Sequence, residues 1–299
     1  IPEDDFTVDV SQDFDLQKLG QMVDEKDAAI SLLGWLAFNY CQIFQKYIEK
    51  AKEDLMTMVS FMMSPSTSAC ATLALVQLCS CVQSLLDPDQ GWVAGVIEPL
   101  NPTVAGMIKE VMDRLLENLE NTEDIIVRNT LEAIGNLAVA FGPAAIMQDD
   151  MVEIVNILIG LLKREAPCQL IREAFDEDDS EFALFAATME TISQFSRVYG
   201  KTYVAALEQF LMCLPPYLEP NASTNFKNCI IATLAEVTQE LKDSFSPYCA
   251  TFLPICINLL TSVSEKSMKH NACYCGGLLV QYGGATVHPF FDSFCSALS

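Results

Sequence analysis

The chain has 299 residues, of which 51% are apolar, and its 40 acidic and 17 basic side chains give a formal net charge of −23. This length and apolar content allow a sizeable core, arranged either as two domains or as one elongated array. The negative charge disfavours binding to nucleic acid and to anionic membrane surfaces, and it favours a basic partner. We therefore expect a cationic protein ligand and no direct contact with nucleic acid.

The first predicted element is an acidic lead-in over residues 1–22. It opens with IPEDDFTVDV, which is acidic where a secretion signal would be basic. Further along, residues 28–44, 62–86 and 244–264 carry no charge and approach the length that crosses a bilayer. Polar side chains or prolines interrupt each of them, so we interpret all three as buried helices and expect no membrane insertion.

The apolar residues recur at intervals of three and four, as in IIVRNTLEAIGNLAVAFG over residues 125–142. This period predicts amphipathic helices throughout, and long apolar helices with a small residue midway recur in alternation with a second apolar helix. We predict an all-α fold, an α-solenoid wound as a right-handed superhelix of about six helix pairs that share a continuous core. The approximate repeats are 23–63, 64–120, 121–165, 179–218, 219–262 and 263–299.

Two insertions lengthen the spacing between repeats. One is a loop with prolines and glycines over residues 86–103, and the other is an acidic insertion at about 166–181. The acidic insertion is either a solvated loop that contributes only solubility or a loop that overhangs the concave face and holds a lysine-rich segment. The residues of this predicted acidic loop are Asp176, Glu177, Asp178, Asp179 and Glu181.

The segment TEDIIVRNTLEAIGNLA, residues 122–138, is similar to the signature of HEAT repeats. It places Asp124 before the helix, Val127 and Arg128 one turn in, and Gly135 at the middle. We expect Arg128 to bond acids of adjacent turns, so that Asp124 and Arg128 take part in a structural ladder. A second apolar helix follows, as the repeat requires.

No constellation for catalysis or metal binding is recognisable. The chain has two histidines, and motifs for phosphate binding, nucleophilic serine or zinc proteolysis do not occur in it. Among the twelve cysteines, many lie in apolar, helix-like runs, so we interpret them as small core residues in a reducing cell: Cys70, Cys79, Cys81, Cys229, Cys273 and Cys275. The two members of a C-x-C pair such as Cys79/Cys81 or Cys273/Cys275 would point to different faces of a helix, so neither pair closes a zinc site without further ligands. We expect no enzyme activity, no cofactor and no metal.

The order of four segments resembles the importin beta superfamily of nuclear transport receptors, and most closely its importin four branch. They are VDEKDAAISLLGWLAFN (23–39), the acidic FDEDDSEFALF (175–185), KNCIIATLAEVTQEL (227–241) and EKSMKHNACYCGGLLVQYGG (265–284). The resemblance implies six later HEAT repeats of a longer receptor that shuttles between cytoplasm and nucleus. It further implies histone tails and ribosomal proteins as cargo on the concave face, release by Ran-GTP bound mostly to repeats outside this chain, and contact with nucleoporin FG repeats.

By the same resemblance, Glu236 and Tyr274 would clamp a lysine of the cargo between a carboxylate and a ring. Asn271, Asn228 and Glu240 lie close in register and could bond a peptide backbone or a second lysine. The alternative for Tyr274 is a ring buried in the core. The alternative for the whole chain is a HEAT scaffold of a phosphatase-associated or chromatin-associated complex without transport activity.

Overall fold

The computed structural model describes residues 11–59, 64–170, 177–263 and 265–298. Every regular element in these ranges is helical, which confirms the all-α prediction. The first helix begins at Ser11, so residues 11–22 of the predicted lead-in are helical. The α-helices are α1 Ser11–Asn39, α2 Cys41–Phe44, α3 Ile48–Val59, α4 Pro65–Leu86, α5 Pro102–Leu119, α6 Asp124–Phe141, α7 Gln148–Lys163, α8 Pro167–Leu170, α9 Glu177–Tyr199, α10 Val204–Leu211, α11 Pro215–Leu218, α12 Thr224–Leu241, α13 Ser246–Ser262, α14 Lys266–Tyr282 and α15 His288–Ala297.

The long helices form two rows. The inner row consists of α1, α4, α6, α9, α12 and α14, each packed on the next. The outer row consists of α3, α5, α7, α10, α13 and α15, which cover one side of the inner row. Because each pair of helices contacts its neighbours in the array, the architecture is a HEAT-repeat α-solenoid of about six pairs, as predicted.

The starts of several helices follow from local chemistry. Ser64 and Asn101 each precede a proline at the first helical position, and their side chains accept hydrogen bonds from Thr67 N and Thr103 N. Ser223 accepts from Asn225 N at the start of α12 in the same way. A side-chain acceptor satisfies one of the backbone donors that a helix leaves unpaired at its start, and proline costs nothing there because its missing N–H would be unpaired.

The inner helices from α6 onward end in one repeated turn. Gly142, Gly200, Lys242 and Gly284 have φ of 72°, 52°, 50° and 57°, and a short 3₁₀ turn follows or includes each of them. Glycine adopts this left-handed region at little cost, whereas a lysine does so under strain. The turn sends the chain sharply from the inner row to the outer row.

One core runs through the array, and side chains such as Leu55, Leu75, Leu131, Phe195 and Phe245 are almost fully buried in it. Two described stretches, Pro65–Leu86 and Thr224–Ser262, are long and apolar enough to span a membrane by composition alone. The first is α4, which packs between α1 and α6, and the second contains α12, a turn and α13. Their apolar side chains supply much of the buried surface between neighbouring pairs.

Candidate functional site

Three carboxylates follow one another along the inner row. Glu132 lies on α6, Glu190 on α9 and Glu236 on α12, and all three are exposed. Partial burial raises the pKa of the Glu190 carboxyl, and the negative charges of Glu236 and Glu132 raise that pKa further. Glu190 is therefore within electrostatic reach of both neighbours, and we call Glu132, Glu190 and Glu236 the carboxylate row.

Side chains of α9 hold two members of the row in place. The hydroxyl of Ser193, a buried residue, donates to a carboxylate oxygen of Glu236 over 2.6 Å. Gln194 Nε2 donates to Glu190 Oε1 over 3.1 Å, and this bond opposes the rise of the Glu190 pKa. Glu190 and Glu236 are thus oriented acceptors that remain accessible to a further hydrogen-bond donor.

Tyr274 lies beyond the row on α14, with 51% of the residue exposed. The alternative that its ring is buried in the core is therefore wrong. Its hydroxyl donates to Gln239 Oε1 of α12 over 2.5 Å, so the ring stands beside the helix that carries Glu236. An exposed aromatic face on the helix after the one that carries Glu236 is a surface that an ammonium or guanidinium group can contact.

The structure also brings together Asn228 and Asn271. Asn271 Nδ2 donates to Asn228 Oδ1 over 2.9 Å and joins α14 to α12. Glu240 is exposed at the end of α12, where it lines a cavity of about 480 Å³ at the edge of the inner row, together with residues 200–202. Glu240 thus faces a different space from the Asn228–Asn271 pair.

The predicted acidic loop is largely helix. Asp176 lies outside the described residues, but Glu177, Asp178, Asp179 and Glu181 fall in the first turns of α9. The prediction of a loop is therefore wrong for these four residues.

The Glu181 side chain also forms contacts that stabilise the fold. Its Oε1 pairs with Arg164 Nε over 3.2 Å, and Gln169 Nε2 donates to the same oxygen over 3.2 Å. The Arg164 guanidinium in turn lies over the rings of Tyr217 and Phe226. Glu181 anchors the start of α9 and does not overhang the inner row.

The predicted ladder takes another form. Asp124 accepts a hydrogen bond from the Ser180 hydroxyl and so ties the start of α6 to α9. Arg128 is partly exposed and, within the part of the chain that the structure describes, forms no ion pair. Asp124 bonds to the neighbouring helix α9, so the expected interaction between Asp124 and Arg128 does not form in the described part of the chain.

Sequence reasoning did not select Glu132 and Glu190. A signal was present for Glu132, which lies three residues before Gly135 at the middle of its helix. At the other end of the inner row, the exposed side of α4 is uncharged, and a cavity of about 300 Å³ lies between Phe38, Leu73, Gln77 and Glu132. The helix α4 therefore contributes no charge to this face.

No model of a known protein family matches the sequence, and no curated protein matches it. Solved structures of the karyopherin Kap121p share its fold. Kap121p bound to the SUMO protease Ulp1p aligns with 91% of this chain at a TM-score of 0.71 and 14% identity. Kap121p bound to RanGTP aligns at a TM-score of 0.67 and 14% identity, and Kap121p bound to Nup53p aligns at a TM-score of 0.69 and 16% identity. Each alignment covers 91% of this chain. The chain spans about a quarter of the length of these structures, since the matches cover 25% of each.

Proposed function

We propose that this chain is a cargo-binding part of a nuclear import receptor that shuttles between cytoplasm and nucleus. The inner row would bind lysine-rich segments of basic cargo such as histone tails and ribosomal proteins. The observation that carries the proposal is the carboxylate row, one exposed acid on each of three successive helices, with Glu190 and Glu236 held by side chains of α9 and an exposed Tyr274 on the following helix α14. The net charge of −23 would draw such a ligand from a distance.

The spacing of the inner helices suits an extended peptide. Packed helices lie about 8–10 Å apart, and a peptide advances about 3.3 Å per residue in an extended conformation. Successive carboxylates would therefore meet lysines about three residues apart. Each contact is a charge-assisted hydrogen bond from an ammonium to Glu132, Glu190 or Glu236, and the Tyr274 ring would add a cation–π contact of about 0.5–1 kcal/mol.

The remaining predicted partners would use other surfaces. Ran-GTP would bind mainly to repeats outside this chain and release the cargo. Nucleoporin FG repeats would bind the outer row, where α3, α4 and α5 enclose a cavity of about 440 Å³ with apolar walls that include Ile48, Leu85 and Met107. Structures of Kap121p bound to RanGTP, to Nup53p and to Pho4p support this part of the proposal.

A HEAT scaffold without transport activity is the second candidate. Its support is a group of exposed apolar side chains at the first pair of helices, Leu32, Trp35, Ile43 and Tyr47, which would suit a folded protein partner. Such a scaffold would bind through this group and would not require the carboxylate row. In both readings the chain acts by binding and not by catalysis.

The test is fluorescence anisotropy of a labelled, lysine-rich histone-tail peptide titrated with the chain. We expect Glu236→Ala combined with Tyr274→Ala to weaken binding about ten-fold, which corresponds to about 1.4 kcal/mol. The matched control is Glu153→Ala combined with Phe291→Ala, which removes an exposed acid of α7 and an aromatic ring of α15 that is 48% exposed, both on the outer row. Equal losses of peptide affinity in the two variants, or no binding of the peptide by the unaltered chain, would favour the scaffold.

A further inference from the structure

The segment between α4 and α5, residues 87–101, does not return directly to the outer row. It crosses the ends of the inner helices, and we call it the strap. At its first contact, Trp92 Nε1 donates to the carbonyl oxygen of Val139 over 2.9 Å. The indole lies on the turn after α6, where a Cβ atom at Gly142 would overlap the Trp92 side chain.

The second contact is with the end of α9. Gly95 N donates to the carbonyl oxygen of Val198 over 2.9 Å. Gly95 has φ of 74°, and a Cβ atom there would lie 2.9 Å from the carbonyl oxygen of Tyr199. Ala94 lies over the following turn, 3.6 Å from the Cβ position of Gly200. The strap thus fits closely against both turns.

Glutamine side chains fix the base of the strap. Gln83 Nε2, at the end of α4, donates to Gln90 Oε1 over 2.7 Å and to the carbonyl oxygen of Asp87 over 3.0 Å. Gln90 Nε2 donates to the carbonyl oxygen of Pro99 over 3.2 Å and joins the two arms of the loop. A segment bonded at its base and at two points along its length can carry a constraint from α4 to α9.

The next two turns lack this cover. The turn after α12 borders the cavity of about 480 Å³, whose walls include Ala94, Gly95, Lys201 and Lys242. At the turn after α14, a Cβ atom placed on Gly284 would meet no atom within 4 Å. The same turn therefore lies under the strap after α6 and α9, and is open after α12 and α14.

We propose that the strap is a brace that fixes α6 relative to α9, whereas the junctions between α9, α12 and α14 bend more freely. In a solenoid each helix pair contacts only its neighbours, so a small rotation at each junction adds to the next. The strap extends from the second pair to the fourth and removes that freedom at α6 and α9. The open cavity beside Lys242 leaves room for the movement of α12.

The consequence for binding rests on the proposed function. Glu132 and Glu190 lie on the braced helices, whereas Glu236 and Tyr274 lie on helices that bend. The brace would hold the first two carboxylates at a set separation before a ligand arrives, and the bending helices would then close on the ligand. Trp92 would be a positioning residue for a peptide that it does not touch.

The test measures distance distributions between spin labels carried on non-canonical residues, which avoids the native cysteines. One pair of labels at Ala140 and Arg197 spans α6 and α9, and another at Asp243 and Gln281 spans the ends of α12 and α14; all four positions are exposed. We expect a narrow distribution for the first pair and a broader one for the second. Trp92→Ala should broaden the first to the width of the second and leave the second unchanged.

The matched control is Val93→Ala, because Val93 is the next residue of the strap and is 60% exposed. It should change neither distribution. If Trp92→Ala unfolds the chain, Trp92→Phe takes its place, since it removes the donor to Val139 but keeps an aromatic ring, and a partial broadening is expected. Equal widths in the unaltered chain, or no broadening in the variant that folds, would overturn the brace.

A second measurement uses the lysine-rich peptide of the binding assay. Trp92→Ala should weaken its binding several-fold and Val93→Ala should not. Broadened distances with unchanged affinity would overturn the positioning role of Trp92. The distance measurement needs no peptide. It therefore tests the brace even if the unaltered chain does not bind the peptide and the proposed function is wrong.

Discussion

The junction between α6 and α9 and the junction between α12 and α14 are built differently. In the first, Gly135 lets Gln194 approach so closely that a Cβ atom would overlap its side-chain oxygen. The buried Thr191 hydroxyl donates to the carbonyl oxygen of Ala187 in its own helix over 2.9 Å and shares its proton with the carbonyl oxygen of Leu131 on α6, 3.3 Å away. In the second, polar side chains pair with one another near the surface, Asn271 with Asn228 and Tyr274 with Gln239. One repeated fold thus contains two kinds of contact between inner helices.

The difference shows how a solenoid can separate support from binding. Buried contacts and bonds to backbone carbonyls have no competing partner in solution, so they hold the first junction in one arrangement. Exposed pairs between side chains exchange readily with water or with a ligand, because their net contribution to stability is small. The first junction is suited to fix the carboxylate row, and the second is suited to adapt to what binds there.

The largest expected effect comes from the turns at the ends of the inner helices. Gly142→Ala should lower the free energy of unfolding by about 3 kcal/mol, because it adds backbone strain at φ of 72° and displaces Trp92. Gly284→Ala is the matched control and should cost about 1 kcal/mol, since its turn is strained at φ of 57° but open. Urea titrations followed by circular dichroism measure both. Equal shifts of the midpoint would mean that the strap adds nothing at Gly142.

A smaller effect is expected from the charge of Glu190. Its raised pKa means that the folded chain keeps a proton that the unfolded chain has lost, so stability falls as pH rises between the ordinary and the raised pKa. A bound lysine favours the ionised carboxylate. Binding of the lysine-rich peptide should therefore weaken as pH falls from neutrality toward the raised pKa of Glu190, at a higher pH than for an unperturbed glutamate.

The variant that checks this is Glu190→Gln. It should weaken binding about three-fold at neutral pH, which is about 0.6 kcal/mol and within the range of exposed ion pairs, and it should flatten the pH dependence. Glu153→Gln on α7 is the control with the same change of charge. Anisotropy titrations across this pH range compare the two. A pH dependence that survives in Glu190→Gln would assign the titration to another group.

The smallest effect is expected at the second junction. Asn271→Ala removes the donor to Asn228, but water can replace it at this partly exposed position, so the loss should stay below about 1 kcal/mol. A double-mutant cycle with Asn228→Ala, read from urea midpoints, isolates the coupling between the two amides. A coupling well above that figure would show that this junction is as tightly held as the first.

The sequence indicated much of this architecture but missed two of the three acids of the carboxylate row. Glu236 and Tyr274 were selected through resemblance, whereas Glu132 and Glu190 emerged only when neighbouring helices were placed side by side. The loop over 86–103 was recognised by its prolines and glycines, yet its path across two helix ends was not. Carboxylates are too frequent in this chain for spacing alone to distinguish those that share a face.

The sequence by itself determined the helices and their pairing, because the period of three and four apolar residues and the capping residues act within one helix. Tertiary structure alone decided which acids remain open. Glu181 forms an ion pair with Arg164, whereas Glu190 stays exposed between Glu132 and Glu236. The reason is physical: the partners of these side chains lie on other helices, and their register across a helix interface depends on how the repeats pack.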